Sequence, residues 1–153
     1  MPIKRLKDLL DQQGVRYVTI SHSPAFTAQE VAASAHIPGK ELAKTVVVKV
    51  GGSMAMVVLP ASLHIDFKKL KDVVGSDDVV LATEEEFKGE FPASEVGAMP
   101  PFGNLYDMDV YVASELSQDA EIAFNAGSHT ELMKLAYRDF ERVVRPRVVD
   151  IAI

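Results

Sequence analysis

Four histidines and no cysteine are the starting inventory for chemistry in this 153-residue chain. His22, His36, His64 and His129 make no H-x-H or H-E-x-x-H pair, so no dedicated metal site is expected. Without cysteine there is no disulfide, thiolate zinc site, iron–sulfur cluster or cysteine nucleophile, which fits a reducing cytoplasm. The phosphate-cradling G-x-x-x-x-G-K-[ST] and G-x-G-x-x-G loops are absent, and so is the G-x-S-x-G elbow. A Ser–His–Asp triad stays open, because its members need not be neighbours in sequence.

Three local features remain. Lys44 stands at the mouth of the apolar run that begins at Thr45. A cation there can hold a phosphate or an ester oxygen as a point charge; it can equally be a solvated strand-end lysine. Gly97-Ala98-Met99-Pro100-Pro101-Phe102-Gly103 is stiff, yet lets backbone N–H groups approach a ligand; a tight surface connection would read the same way. Asn125-Ala126-Gly127-Ser128-His129-Thr130 offers close approach at Gly127 and adjustable donors at Ser128 and His129. A turn between two strands explains it just as well.

The elements that must position these residues follow from patterning. Ile3, Leu6, Leu9 and Leu10 form a helical stripe with Gly14 as its stop. Val15–Ile20 reads as a strand, broken by His22-Ser23-Pro24. Thr27-Ala28-Gln29-Glu30 has capping-box spacing and opens a helix to about His36, ended by Pro38-Gly39. Thr45–Val50, Gly51-Gly52 and Met54–Leu59 form the clearest hairpin. Asp66 caps a helix carrying Phe67, Leu70, Val73 and Val74, stopped at Gly75. Val79–Ala82 is a short strand, followed by a second capping box at Thr83. The prolines keep Gly97–Gly103 irregular. Asp109–Ala113, Glu121–Phe124 and Thr130–Leu135 read as strands, Tyr137–Val144 as a helix, and Val148–Ile153 as a last strand. The expected fold is α/β: a single domain over residues 1–153, with a mixed, partly antiparallel β-sheet and packed helices.

Composition narrows the partners. The chain is 48% hydrophobic and carries 16 Lys+Arg against 22 Asp+Glu, a net charge of −6. That argues against a broad nucleic-acid coat but not against a pocket for one nucleotide end. No apolar run reaches the roughly 18–20 residues of a membrane span. The amphipathic start, MPIKRLKDLLDQQG, lacks a signal-peptide core.

The ordered set Thr27-Ala28-Gln29-Glu30, Ala43-Lys44-Thr45-Val46-Val47, Gly97-x-x-Pro100-Pro101-Phe102-Gly103, Ala126-Gly127-Ser128-His129-Thr130-Glu131 and Phe140-Glu141-Arg142-Val143-Val144-Arg145-Pro146 resembles the YbaK/ProX family. These are aminoacyl-tRNA editing domains, also found inserted in or associated with prolyl-tRNA synthetases. The resemblance spans essentially the whole chain. The G-x-x-P-P-F-G loop is moderately specific, and the order of the pieces is more specific than any one of them. Some members carry a tyrosine near the first strand where this chain has Ile20, with His22 two residues on.

The resemblance implies hydrolysis, in trans, of the ester of a mischarged tRNA, with alanine or cysteine on proline tRNA as the leading substrates. It implies Lys44, Gly97, Gly127 and His129 as catalytic residues, and His22, Thr45, Pro101, Phe102, Gly103 and Ser128 as substrate-binding residues. Lys44, the Gly97–Gly103 loop, Gly127 and His129 are expected to line one concave site. The acceptor end of aminoacyl-tRNA is the implied partner, with prolyl-tRNA synthetase a further one; neither cofactor nor metal is implied. The chemistry needs few residues. An aminoacyl ester is already activated, so the protein must fix the acceptor end, place water and stabilise developing negative charge. Backbone N–H groups at Gly97 and Gly127 suit the last task. A non-catalytic module of the same fold, holding aminoacyl-tRNA or a synthetase, is the alternative.

Overall fold

The computed structural model describes residues 3–25, 27–95 and 97–153. Met1 and Pro2 of the amphipathic N-terminal stretch lie outside the described residues. Helix α1 (Lys4–Gln12) buries Leu6 and Leu10, the apolar stripe that made it a helix. Strand β1 (Tyr17–Ser21) starts two residues later than expected. The reason is that the Val15 N–H closes the end of α1 onto the Leu10 carbonyl, at 2.9 Å. Helix α2 (Ala28–Ala35) opens on a complete capping box: Thr27 takes the Glu30 N–H, and the Glu30 carboxylate takes the Thr27 N–H. That satisfies two orphan donors reciprocally.

Strand β2 (Leu42–Val50) and strand β3 (Ser53–Pro60) form the expected hairpin, paired antiparallel from Ala43/Pro60 to Val50/Ser53. Helix α3 (Phe67–Val74) is capped by Asp66, which accepts the Lys68 and Lys69 N–H groups. Strand β4 (Val79–Leu81), the single-turn helix α4 (Glu84–Phe87) and strand β5 (Asp109–Ala113) follow. Strand β6 (Glu121–Ser128) and strand β7 (Glu131–Ala136) form a second hairpin, before helix α5 (Tyr137–Val144) and strand β8 (Arg147–Val149).

The strands make one mixed sheet in the order β1-β7-β6-β2-β3-β5-β8, with β4 on β2. Pairing is antiparallel in the hairpins and parallel for β2/β6, β3/β5 and β5/β8. Apolar clusters cover both faces. One gathers α1, α5 and the Phe102 region over Ala43, Val47, Phe124 and Ala126; on the other face α3 packs over Val48 and Val57, and α2 over Leu42 and Ala123. Alternation along β2 therefore sends Ala43, Thr45 and Val47 to the first face and Leu42, Lys44, Val46 and Val48 to the second.

Two expectations need correction. Asn125–Thr130 is not simply a turn: β6 runs on to Ser128 through a bulge between Asn125 and Ser128, leaving only His129 and Thr130 between the strands. The last strand does not run from Val148 to Ile153. β8 ends at Val149, and the chain then turns to bridge Ala152 to Ile65, because Ile151 and Ala152 bury themselves beside α3. Among the described residues no helix is long and apolar enough to cross a membrane.

Candidate functional site

The sheet opens where Lys44 sits. On one edge β2 carries β3 throughout. On the other, β6 pairs only with Leu42 and Ala43, while β4 takes over at Val48 and the Ala82 N–H reaches the Val47 carbonyl. Lys44, Thr45 and Val46 thus face no strand on that edge among the described elements. The parting of β6 and β4 along that edge of β2 leaves a crevice there.

Lys44 emerges into that crevice between the first turns of α2 and α3. It lines two adjoining hollows. One, about 200 Å³, is bounded by Thr27, Ala28, Gln29, Ala61 and His64. The other, about 300 Å³, is bounded by Val46, His64, Ile65, Phe67 and Leu81. Burial pushes the Lys44 ammonium below the ordinary lysine pKa, since a half-desolvated charge is disfavoured. Among the described residues no aspartate or glutamate lines either hollow.

A second group forms at the β6–β7 turn. Gly97 has φ +86°, and a Cβ built on it would lie 3.5 Å from His129 Cε1. The His129 ring is largely buried, with Nε2 4.0 Å from the Glu95 carboxylate. The Ser128 hydroxyl lies 3.3 Å from that of Thr130 and accepts the Thr130 N–H, tightening the turn. His22 joins from β1's end: its N–H donates to the Thr130 carbonyl at 2.9 Å. His22 Nδ1 lies 2.8 Å from the Ser23 carbonyl, which makes that nitrogen the donor and leaves Nε2 as an acceptor in the neutral ring.

The expected single concave site is therefore two neighbouring groups. Neither hollow at Lys44 includes Gly97, Gly127 or His129. Ala25 and Thr27 stand one at each group: the Ala25 N–H donates to the His129 carbonyl, and Thr27 walls the Lys44 hollow. Thr45 points to the opposite face from Lys44. Pro101, Phe102 and Gly103 are buried. The Phe102 ring, with no exposed surface, packs on Phe124 and Phe140 at centroid distances of 5.3 and 5.5 Å. It supports the loop from beneath and has no surface to offer a substrate. A Cβ on Gly103 would fall 2.3 Å from the Met108 carbonyl oxygen, so that glycine serves packing.

Gly127 also departs from its expected part. Its N–H already donates to the Ala98 carbonyl at 2.9 Å, and its own carbonyl accepts the Glu95 N–H at 2.8 Å. That N–H is not free to meet an oxyanion. The Gly97 N–H is less firmly held: its partner among the described residues is the Met99 thioether at 3.2 Å, a weak acceptor. Sequence reasoning misses His64 and Gln29 as neighbours of Lys44. No spacing brings residue 64 beside residue 44; only the return of the chain after β3 does so.

Comparison with known proteins gives this geometry a family. The model of the aminoacyl-tRNA editing domain matches residues 22–143. The prolyl-tRNA editing protein ProX of Acetoanaerobium sticklandii is 25% identical over 142 residues, covering 89% of this chain and 86% of its own. The multifunctional Ser/Thr-tRNA deacylase ProXp-y of Escherichia coli K12 is 30% identical over 156 residues, covering 96% and 90%. A solved structure described as a candidate trans-editing enzyme for prolyl-tRNA synthetase superposes with a TM-score of 0.82 at 20% identity, covering 98% of this chain and 96% of that one. The fold, the crevice at Lys44 and these matches lead to one conclusion: the chain belongs to the aminoacyl-tRNA editing domain family.

Proposed function

We propose that this chain, as one editing domain over residues 1–153, is a trans-acting aminoacyl-tRNA deacylase. The observation that carries the reading is Lys44: a half-buried cation in a crevice without carboxylates, between two helix starts. Such a place suits the anionic acceptor end. The ester carbonyl then lies toward Gly97 and His129. Water adds to the carbonyl carbon, the Gly97 N–H takes up charge on the carbonyl oxygen, and the ribose oxygen leaves with a proton. His129 and Ser128 orient water or the amino acid's ammonium group, and the Glu95 carboxylate beside His129 gives that ammonium a counter-charge. No cofactor or metal enters this scheme. Alanine and cysteine on proline tRNA are the substrates we place first, with prolyl-tRNA synthetase as a partner supplying the mischarged tRNA; a synthetase pocket rejects such near-size amino acids by only about 1–3 kcal/mol.

The test is a deacylation panel: purified protein with proline tRNA carrying alanine, cysteine, serine, threonine or proline. Release of free alanine or cysteine, with prolyl-tRNA spared, is the expected result. One observation favours a rival, a module that holds aminoacyl-tRNA without turnover: the Gly127 N–H is engaged by Ala98, leaving fewer oxyanion donors. Binding of charged tRNA with no release of any amino acid would decide for it.

A further inference from the structure

We propose that His64 is a substrate-binding residue, donating a hydrogen bond to the terminal phosphodiester of the acceptor end beside Lys44. This rests on the deacylase reading above. Of the residues bounding the two hollows, only Lys44 and His64 line both, so a group spanning the hollows must pass between them.

The backbone holds His64 firmly in place. It belongs to the connection between β3 and α3, yet it exchanges two hydrogen bonds with the last residue: the His64 N–H to the Ile153 carbonyl at 2.9 Å, and the Ile153 N–H to the His64 carbonyl at 2.8 Å. The Ile65/Ala152 bridge lies next to it, and the buried Ile151 and Ala152 fix that segment in the α3 cluster. The backbone is thus pinned while the side chain stays exposed, the arrangement that a contact to a transient ligand requires. The chemistry selects the ligand. Lys44, His64, Gln29 and Thr27 supply side-chain donors and, among the described residues, no carboxylate lines the hollows, so an amino acid's ammonium group finds no counter-charge there, whereas a phosphodiester passing between the hollows meets the Lys44 charge and the His64 imidazole. An imidazole offers an N–H whether neutral or protonated, and the apolar wall of Val46, Ile65, Phe67 and Leu81 suits the adjoining sugar and base.

The experiment compares wild type, His64→Ala and His64→Gln in deacylation kinetics. His64→Ala should raise KM about three- to tenfold, the worth of one hydrogen bond, with kcat changed by less than about twofold. His64→Gln, which keeps a donor, should recover most of the loss. An unchanged KM in His64→Ala, or a fall in kcat alone, overturns the assignment. Binding separates this inference from the reading beneath it. The probes are two non-hydrolysable, amide-linked mimics: an aminoacyl-CCA trinucleotide and the corresponding aminoacyl-adenosine without phosphate. His64→Ala should weaken the first and spare the second; equal loss on both, or on neither, sinks the phosphate contact. If wild type hydrolyses no charged tRNA but shows this phosphate-dependent loss, the deacylase reading fails and His64 stands. If turnover is present and His64 is silent, only the assignment of His64 falls.

Discussion

Gly127 offers the sharpest test of what the glycines near the turn are for. Its φ is +105°, and a Cβ there would lie 2.5 Å from Ile3 Cγ1 and 2.9 Å from Ile3 Cδ1. Gly127→Ala therefore carries two costs. The backbone conformation contributes about 1–2 kcal/mol for any residue with a Cβ, and forcing Ile3 aside contributes about 1–3 kcal/mol more. Ile3 has little room to give, since it is buried and its N–H is tied to the Ala126 carbonyl at 3.2 Å. The sum, about 2–5 kcal/mol, corresponds to a Tm lower by roughly 4–20 °C for a domain of this size. The assay is thermal and urea unfolding of Gly127→Ala, Ile3→Ala and the double variant. Ile3→Ala alone empties a core position at about 2–5 kcal/mol, but it also removes the atoms that the added methyl group would strike. The double variant should be more stable than the sum of the singles predicts, by about 1–3 kcal/mol. Additivity within about 0.5 kcal/mol would refute the clash and leave Gly127 with a conformational cost alone.

Other consequences are as direct. Lys44→Ala should cut deacylation on the order of a hundredfold while leaving Tm within a degree or so, because one well-placed electrostatic contact is lost and little packing with it; near wild-type turnover would remove Lys44 from the site. Phe102→Ala should lower stability by about 3–5 kcal/mol, measured by urea unfolding; a stable but inactive variant would return Phe102 to the substrate. The Glu86 carboxyl, held down to about 2 by the Lys49 ammonium and then the Thr83 N–H, stabilises the fold above its ordinary pKa near 4.5, and that contribution disappears as pH falls through about 2. The Tm advantage of wild type over Glu86→Gln should accordingly be full at pH 6 and gone near pH 2. A salt titration of tRNA binding should give a log–log slope of about −2 to −3, as for three or so phosphate contacts; a slope near −8 would reveal an extended basic face.

Most of what was legible without a fold is local. Thr27 and Thr83 with a glutamate three residues on, Asp66 ahead of an apolar stripe, and Gly51-Gly52 between β-branched runs each satisfy or terminate backbone hydrogen bonds within a few residues, so their elements can be read from the chain alone. The motif order from Thr27 to Pro146 was equally legible, and carried the family. Which chemistry-bearing groups meet was settled by packing. Alternation along β2 put Lys44 on the face of α2 and α3, away from the buried Phe102, and the parting of β6 from β2 after Ala43 opened the crevice. The Gly127 N–H went to Ala98 through a bulge that shifts the β6–β7 register. His64 reached Lys44 because the chain returns after β3, and the C-terminal residues pin its backbone there. These are contacts between residues far apart in the chain. Their energies depend on where whole strands and helices pack, and no short window of sequence contains both partners.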